Sequence, residues 1–129
     1  MGSNKKIETR VFYTWLQDGI CYTKVKTGSI INLDDAIENT KIVAELSGKM
    51  IHPMLVDLRT INSIDKEARD HFSMKNRKAG VSAIAMLIKS PVSRIIGNFF
   101  LGLNKPKVPT QLFTSEIKAV NWLQEYIPN

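Results

Sequence analysis

Met54-Leu55-Val56-Asp57-Leu58-Arg59-Thr60-Ile61-Asn62-Ser63-Ile64-Asp65 is the stretch that decides the fold. Its opening run follows Pro53, is apolar apart from Asp57, and is too short for a helix, so it reads as a strand buried on both faces and therefore a central one. Residues 59–63 read as a loop. Beyond it, Ile64, Ala68 and Phe72 recur every four residues on one side of a modest helix near Asp65 to Met74, whose polarity elsewhere predicts partial exposure. Ser63 stands where a side-chain cap for that helix is expected.

Upstream, Val11, Tyr13 and Trp15 alternate with other residues, Asp18-Gly19 follows, and Ile20, Tyr22 and Lys24 continue a second alternating run. Asp-Gly between two such runs predicts an antiparallel hairpin, because a tight primed turn needs positive φ. Asn32 is placed to cap a first helix over Leu33 to Ser47, with Asp34 and Asp35 at the positive end of its dipole and Gly48 at its exit. Ala36, Ile37, Thr40, Val43, Ala44 and Leu46 form its expected inner stripe.

Downstream, Val81 to Ile88 is the most apolar strand, and Ser90-Pro91 starts a third helix running to about Leu103. Gln111-Leu112-Phe113 is a last strand. A final helix runs from Thr114 to Ile127, with Ile117, Val120, Leu123 and Ile127 facing inward. The order predicts an α/β fold: a mixed sheet of about five strands opened by an N-terminal antiparallel hairpin, later strands parallel through right-handed crossovers, and four covering helices.

The chain has 129 residues, 43% apolar and 23% charged, which suits one globular domain over residues 1–129 with its own core. Cys21 is the only cysteine, so no internal disulfide is expected. Nothing near the start reads as a secretory signal, Lys6 stands where an acylation signal needs Ser or Thr, and the longest apolar stretches are too short to span a bilayer. A cytoplasmic location is the expectation. The net charge is +6, and no acidic residue lies between Asp70 and Glu116, a stretch carrying Lys75, Arg77, Lys78, Lys89, Arg94, Lys105 and Lys107. A field of one sign favours an acidic partner, an anionic membrane surface or a nucleic acid, while its plain role is solvation.

The stretch Leu55 to Asp65, behind such a hairpin, resembles the central strand, loop and second-helix start of STAS domains, the fold of bacterial anti-sigma-factor antagonists. Gly97-Asn98-Phe99-Phe100-Leu101, then Asn104-Lys105-Pro106, then Phe113-Thr114-Ser115-Glu116 with Ala119, Trp122 and Leu123, is similar to small STAS-like bacterial proteins, many of unassigned function. The resemblance implies a non-enzymatic regulatory or protein-interaction module. In the STAS motif an Asp precedes Ser or Thr, Ser and Gly, and a hydroxyl accepts phosphate from a partner kinase. Asp65 matches, but Lys66, Glu67 and Ala68 follow, so no side chain there can carry phosphate. Arg59, Asp65 and Lys66 are the candidate contacts with a protein partner.

Motif chemistry points nowhere else. His52 and His71 lack ligand spacing, and there is no nucleophile elbow, phosphate loop or dinucleotide fingerprint, so neither a metal nor a cofactor is expected. Asp57 reads as a loop-organising acceptor near Arg59, and Cys21 as a small buried side chain. In the third helix Val92, Ile96, Phe99 and Leu103 form one face for the sheet, yet Ile95, Phe100 and Leu101 add apolar surface elsewhere. Such surplus is either enclosed by neighbouring loops or marks a partner, an apolar ligand or a membrane surface. Arg94, Ile95, Phe99 and Phe100 are the candidates for an apolar small molecule held between that helix and the sheet, or for an anionic membrane surface. A protein partner ranks first; the small molecule, the membrane and a homo-oligomer are alternatives. Nucleic acid ranks last, since Lys75-Asn76-Arg77-Lys78 has no aromatic platform beside it.

Overall fold

The computed structural model describes residues 5–73, 80–104 and 108–128. Met74, the cluster Lys75-Asn76-Arg77-Lys78, and Lys105 with Lys107 lie outside the described residues. A short strand β1 (Ile7–Glu8) pairs antiparallel with β2 (Phe12–Gln17), which forms the predicted hairpin with β3 (Ile20–Val25). Asp18 and Gly19 have φ of 51° and 82°, as a two-residue primed turn demands. The chain then runs through β4 (Ile30–Ile31), α1 (Leu33–Ser47), β5 (His52–Asp57), β6 (Ser63–Ile64), α2 (Lys66–Phe72), β7 (Val81–Leu87), α3 (Pro91–Asn104), β8 (Thr110–Phe113) and α4 (Glu116–Gln124).

The main sheet has six strands in the order β1-β2-β3-β5-β7-β8, with every pair from β3 onward parallel. β5 is central, as its two-faced apolar run requires. The sixth strand is β1, too short to show a period. β4 and β6 form a separate parallel ribbon that joins the approach to α1 with the loop after β5. Each crossover carries the chain to the next strand in one direction, so right-handed connections place their helices on one face. On that face Phe12, Cys21, Val25, Met54, Ile84 and Met86 meet Ala36 of α1, Ala68 of α2, and Ile96 and Phe100 of α3. On the other, Ile20, Leu55, Ala83, Ala85 and Leu87 meet Ala119 and Leu123 of α4.

Three helices sit differently from their apolar periodicity. In α1 the capping box forms as predicted: the Asp35 amide donates to Asn32 Oδ1 and the Asn32 amide to Asp35 Oδ2, both at 2.9 Å. The buried residues, however, are Asp35, Ala36, Asn39 and Ile42, and Thr40 and Ala44 are exposed. A polar seam turns the helix: Asn39 Nδ2 donates to Thr14 Oγ1 at 2.8 Å, and Asp35 receives the Arg10 guanidinium. In α4 the expected inner residue Ile117 is 74% exposed, while Ala119 and Leu123 are fully buried.

In α3 the sheet-facing residues are Ser93, Ile96, Gly97 and Phe100, so Val92 and Phe99 do not lie on the inner face assigned to them. Gly97 is the reason. A Cβ there would stand 3.0 Å from Ile88 Cγ2 and 3.1 Å from Leu112 Cδ2, so the helix comes close to the sheet along its glycine. Gly97→Ala is expected to change stability by less than about 1 kcal/mol, the gain in helix propensity offsetting two tight methyl contacts. Gly97→Leu is expected to cost about 2 kcal/mol by overpacking. Urea titration of the two variants checks the pair; equal losses would remove the close-approach account.

Candidate functional site

Asp57 closes β5 and is buried, and its carboxylate organises the turn that follows. It accepts from the Arg59 amide at 3.1 Å, from Arg59 Nε at 3.0 Å and from Arg59 Nη2 at 2.7 Å. Arg59 Nη2 also donates to Glu116 Oε1 at 3.3 Å, tying the loop to the first turn of α4. The hydrogen bond to Asp57 is the largest influence holding the Arg59 pKa above its ordinary value, with the charges of Asp57 and Glu116 adding to it. Arg59 is thus engaged within the fold. Asp57 is the loop-organising acceptor that its place in the sequence suggested.

Asp65 occupies the N-cap position of α2, exposed and without a side-chain capping bond. Lys66 is exposed behind it and pairs with Asp70 at 3.0 Å, one turn along. Glu67 is exposed as well, so the two positions that lack hydroxyls lie on the surface of the first turn. Ser63 is not the cap. It lies in β6, opposite Ile30, with its amide donating to the Ser29 carbonyl at 3.2 Å, because the chain remains extended through Ile64 before α2 begins.

One α2 residue that sequence reasoning passed over joins this region to α3. Arg69 Nη1 donates to the Ile64 carbonyl at 2.8 Å, and its guanidinium carbon lies 5.4 Å from the centre of the Phe99 ring. No local pattern could have announced a contact across that separation. Beside Arg69, Val92 (41% exposed), Ile95 (70%) and Phe99 (40%) recur at i, i+3 and i+7, an apolar stripe on the outer side of α3, with Arg94 exposed near it. Phe100 belongs to the interior. The four candidates of this helix therefore divide, with Arg94, Ile95 and Phe99 outward and Phe100 inward.

On the opposite face of the sheet the hairpin carries a second feature not anticipated. Trp15 stacks on Tyr22 with ring centres 4.9 Å apart, and Lys6 Nζ sits 4.4 Å from the centre of the Trp15 ring. A cleft of about 160 Å³ lies there, lined also by Lys24, Asp57 and Glu116. Its mixed charge offers no continuous track for phosphates. Burial, followed by the charges of Glu116 and Asp18, raises the Tyr22 pKa. Among the described residues no three His, Cys, Asp or Glu side chains gather to hold a metal, and no helix is long and apolar enough to cross a membrane.

The family described as Domain of unknown function (DUF7793) matches residues 14–127, from the middle of β2 to just past α4. The chain belongs to that family. Its DUF7793 fold is shared with an uncharacterized protein of the DUF3478 family with a SpoIIAA-like fold from Shewanella loihica PV-4, at a TM-score of 0.61 and 13% identity over 95% of this chain and 98% of that one. An anti-sigma factor antagonist from Mycobacterium paratuberculosis matches with a TM-score of 0.59 and 15% identity over 88% of this chain and 92% of that one. A protein with unknown function from Arthrobacter sp. FB24 is 36% identical over 91% of this chain and 95% of that one, with a TM-score of 0.35. No curated protein matches the chain. Identities of 13% and 15% carry the fold alone, so the DUF7793 chain is STAS-like in architecture.

Proposed function

We propose that the chain, as one domain over residues 1–129, is a non-enzymatic module that binds another protein through the joined surface of α2 and α3. The observation that carries this reading is the outward stripe of Val92, Ile95 and Phe99, which stays between 40% and 70% exposed with Arg69 of α2 lying over the Phe99 ring. Apolar side chains that form a contiguous patch with a polar rim mark an interaction site, and the helical spacing of these three lines them up as one. Arg69 and Arg94 rim the stripe, and no acidic residue occurs between Asp70 and Glu116, so the fitting partner offers an apolar patch edged with carboxylates. Asp65 and Lys66 extend the surface at the start of α2, and Arg59 supports it by holding the loop after β5. The STAS-like fold and the anti-sigma factor antagonist among its structural neighbours favour a protein partner.

Control of such a module by phosphate would differ from the STAS scheme, because Lys66 and Glu67 stand where a hydroxyl would be modified. The interface is tested with a photo-crosslinking residue placed at position 95 or, as a control, at the equally exposed position 117, in cells producing the protein. A discrete protein adduct at 95, absent at 117 and abolished by Arg94→Glu, is the expected result. Equal adducts at both positions, or binding of the purified protein to anionic vesicles that Ile95→Glu removes, would overturn the protein-partner reading.

A further inference from the structure

The interior between the sheet and its three-helix face is not filled. A cavity of about 70 Å³ lies there, bounded by fifteen residues of which only Thr23 and Asn39 are polar. Phe12, Met54, Met86, Ile96 and Phe100 supply much of its wall. Thr23 belongs to the row Cys21, Thr23, Val25 that faces this side of β3, is 3% exposed, and its Oγ1 has no hydrogen-bond partner among the described residues. Its neighbour across the hairpin, Thr14, is served by Asn39 Nδ2 at 2.8 Å, so the Asn39 amide group is already directed at that strand.

A buried hydroxyl without a partner is costly, and a void of this size loses the contacts that would line a packed core. Both deficits are removed by one occupant. From this we infer that the cavity is a binding site for a small, mostly apolar molecule bearing a single hydroxyl or carbonyl group, which hydrogen-bonds Thr23 Oγ1 while its apolar body contacts Met54, Met86, Ile96 and Phe100. A cluster of waters suits the space poorly, because each water needs two to four polar partners and the walls are otherwise apolar. The volume is about half that of a ~150 Å³ apolar cavity known to hold benzene, so the occupant is smaller than benzene unless the side chains move. The two methionines have the flexible, polarizable side chains that permit such movement. This site is independent of the α2–α3 surface and stands or falls separately from it.

The test uses the whole chain with ¹³C-methyl methionine, read by NMR during titration with xenon and, separately, with 1-propanol. Met54 and Met86 report on the cavity, and Met50, 44% exposed and outside its lining, is the internal control. Saturable shifts of Met54 and Met86 with both probes, and none at Met50, are expected. Thr23→Val keeps the shape and removes the hydroxyl; it is expected to weaken 1-propanol binding about tenfold and to leave xenon binding unchanged. Methyl shifts at Met54 and Met86 no larger than at Met50, or equal 1-propanol affinity in wild type and Thr23→Val, would overturn the assignment. A water molecule retained at Thr23 in the 1-propanol-saturated protein, seen as a water cross-peak, would overturn it too.

Discussion

Replacing Leu123 with alanine is expected to lower the free energy of unfolding by about 4 kcal/mol, near the upper end of the range for a buried leucine. Leu123 is fully buried in the second core, where Ala119 of α4 meets Ile20, Leu55, Ala83, Ala85 and Leu87 of the sheet. The facing alanines have no side-chain length with which to fill the space, and the strands beneath are held by ladder bonds, so the cavity left behind stays open. The loss should appear as a lower urea midpoint with an unchanged slope. Ile117→Ala, on the solvent side of the same helix, should fall within about 0.5 kcal/mol of wild type. A loss at Leu123 no greater than at Ile117 would mean that α4 does not contribute to global stability.

Arg59→Ala is expected to cost about 3 kcal/mol, because it leaves the buried Asp57 carboxylate with the backbone amide of residue 59 but neither of its two guanidinium bonds. Removing one partner of a buried pair is worse than removing both, so Asp57→Asn added to Arg59→Ala should recover at least about 1 kcal/mol. Arg59→Lys should lie between wild type and Arg59→Ala, since a single ammonium cannot reproduce the fork that meets both carboxylate oxygens. A double-mutant cycle measured by urea unfolding checks all three. A coupling energy near zero would reduce the Asp57–Arg59–Glu116 link to an ordinary surface ion pair.

The consequences for function separate cleanly from these stability effects. Arg59 acts at the junction of β5 and α4, whereas the proposed partner surface lies along α2 and α3, where Ile95 is 70% exposed and Phe99, 40% exposed, touches the interior through Phe100. Substitutions at Ile95 should alter association without moving the urea midpoint, and substitutions at Arg59 should do the reverse. Asp65 and Lys66, both exposed at the start of α2, belong to the proposed surface and not to the core.

Much of the architecture was readable along the chain. Asp18-Gly19 announced the hairpin because positive φ is a local demand, and Asn32 with Asp35 announced the start of α1 because a capping box spans only four residues. The apolar run Met54 to Leu58 announced the central strand because burial on both faces removes polar alternation. Ser63 misled, since a serine before a helix caps only if the backbone turns there, and the pairing of β6 with β4 keeps it extended. The faces of α1 and α3 depart from their hydrophobic periodicity because a polar bond to Thr14 turns the one and a close glycine contact turns the other.

What the amino-acid order determined by itself was the hairpin, the three later strands of the main sheet and the four helices, their succession, and the missing hydroxyls at Lys66 and Glu67: these follow from backbone preferences and side-chain types that act within a few residues, whereas the two-residue strands β1, β4 and β6 exist only through their pairing. Tertiary structure alone decided which side of α1 and of α3 faces the sheet, through the Asn39–Thr14 bond and the glycine contact at position 97. It alone placed Arg69 over Phe99, joined Arg59 to Glu116, and left Thr23 facing an unfilled space. Each of those outcomes depends on groups distant in the chain meeting at a fixed separation, and a separation in space has no signature in local periodicity.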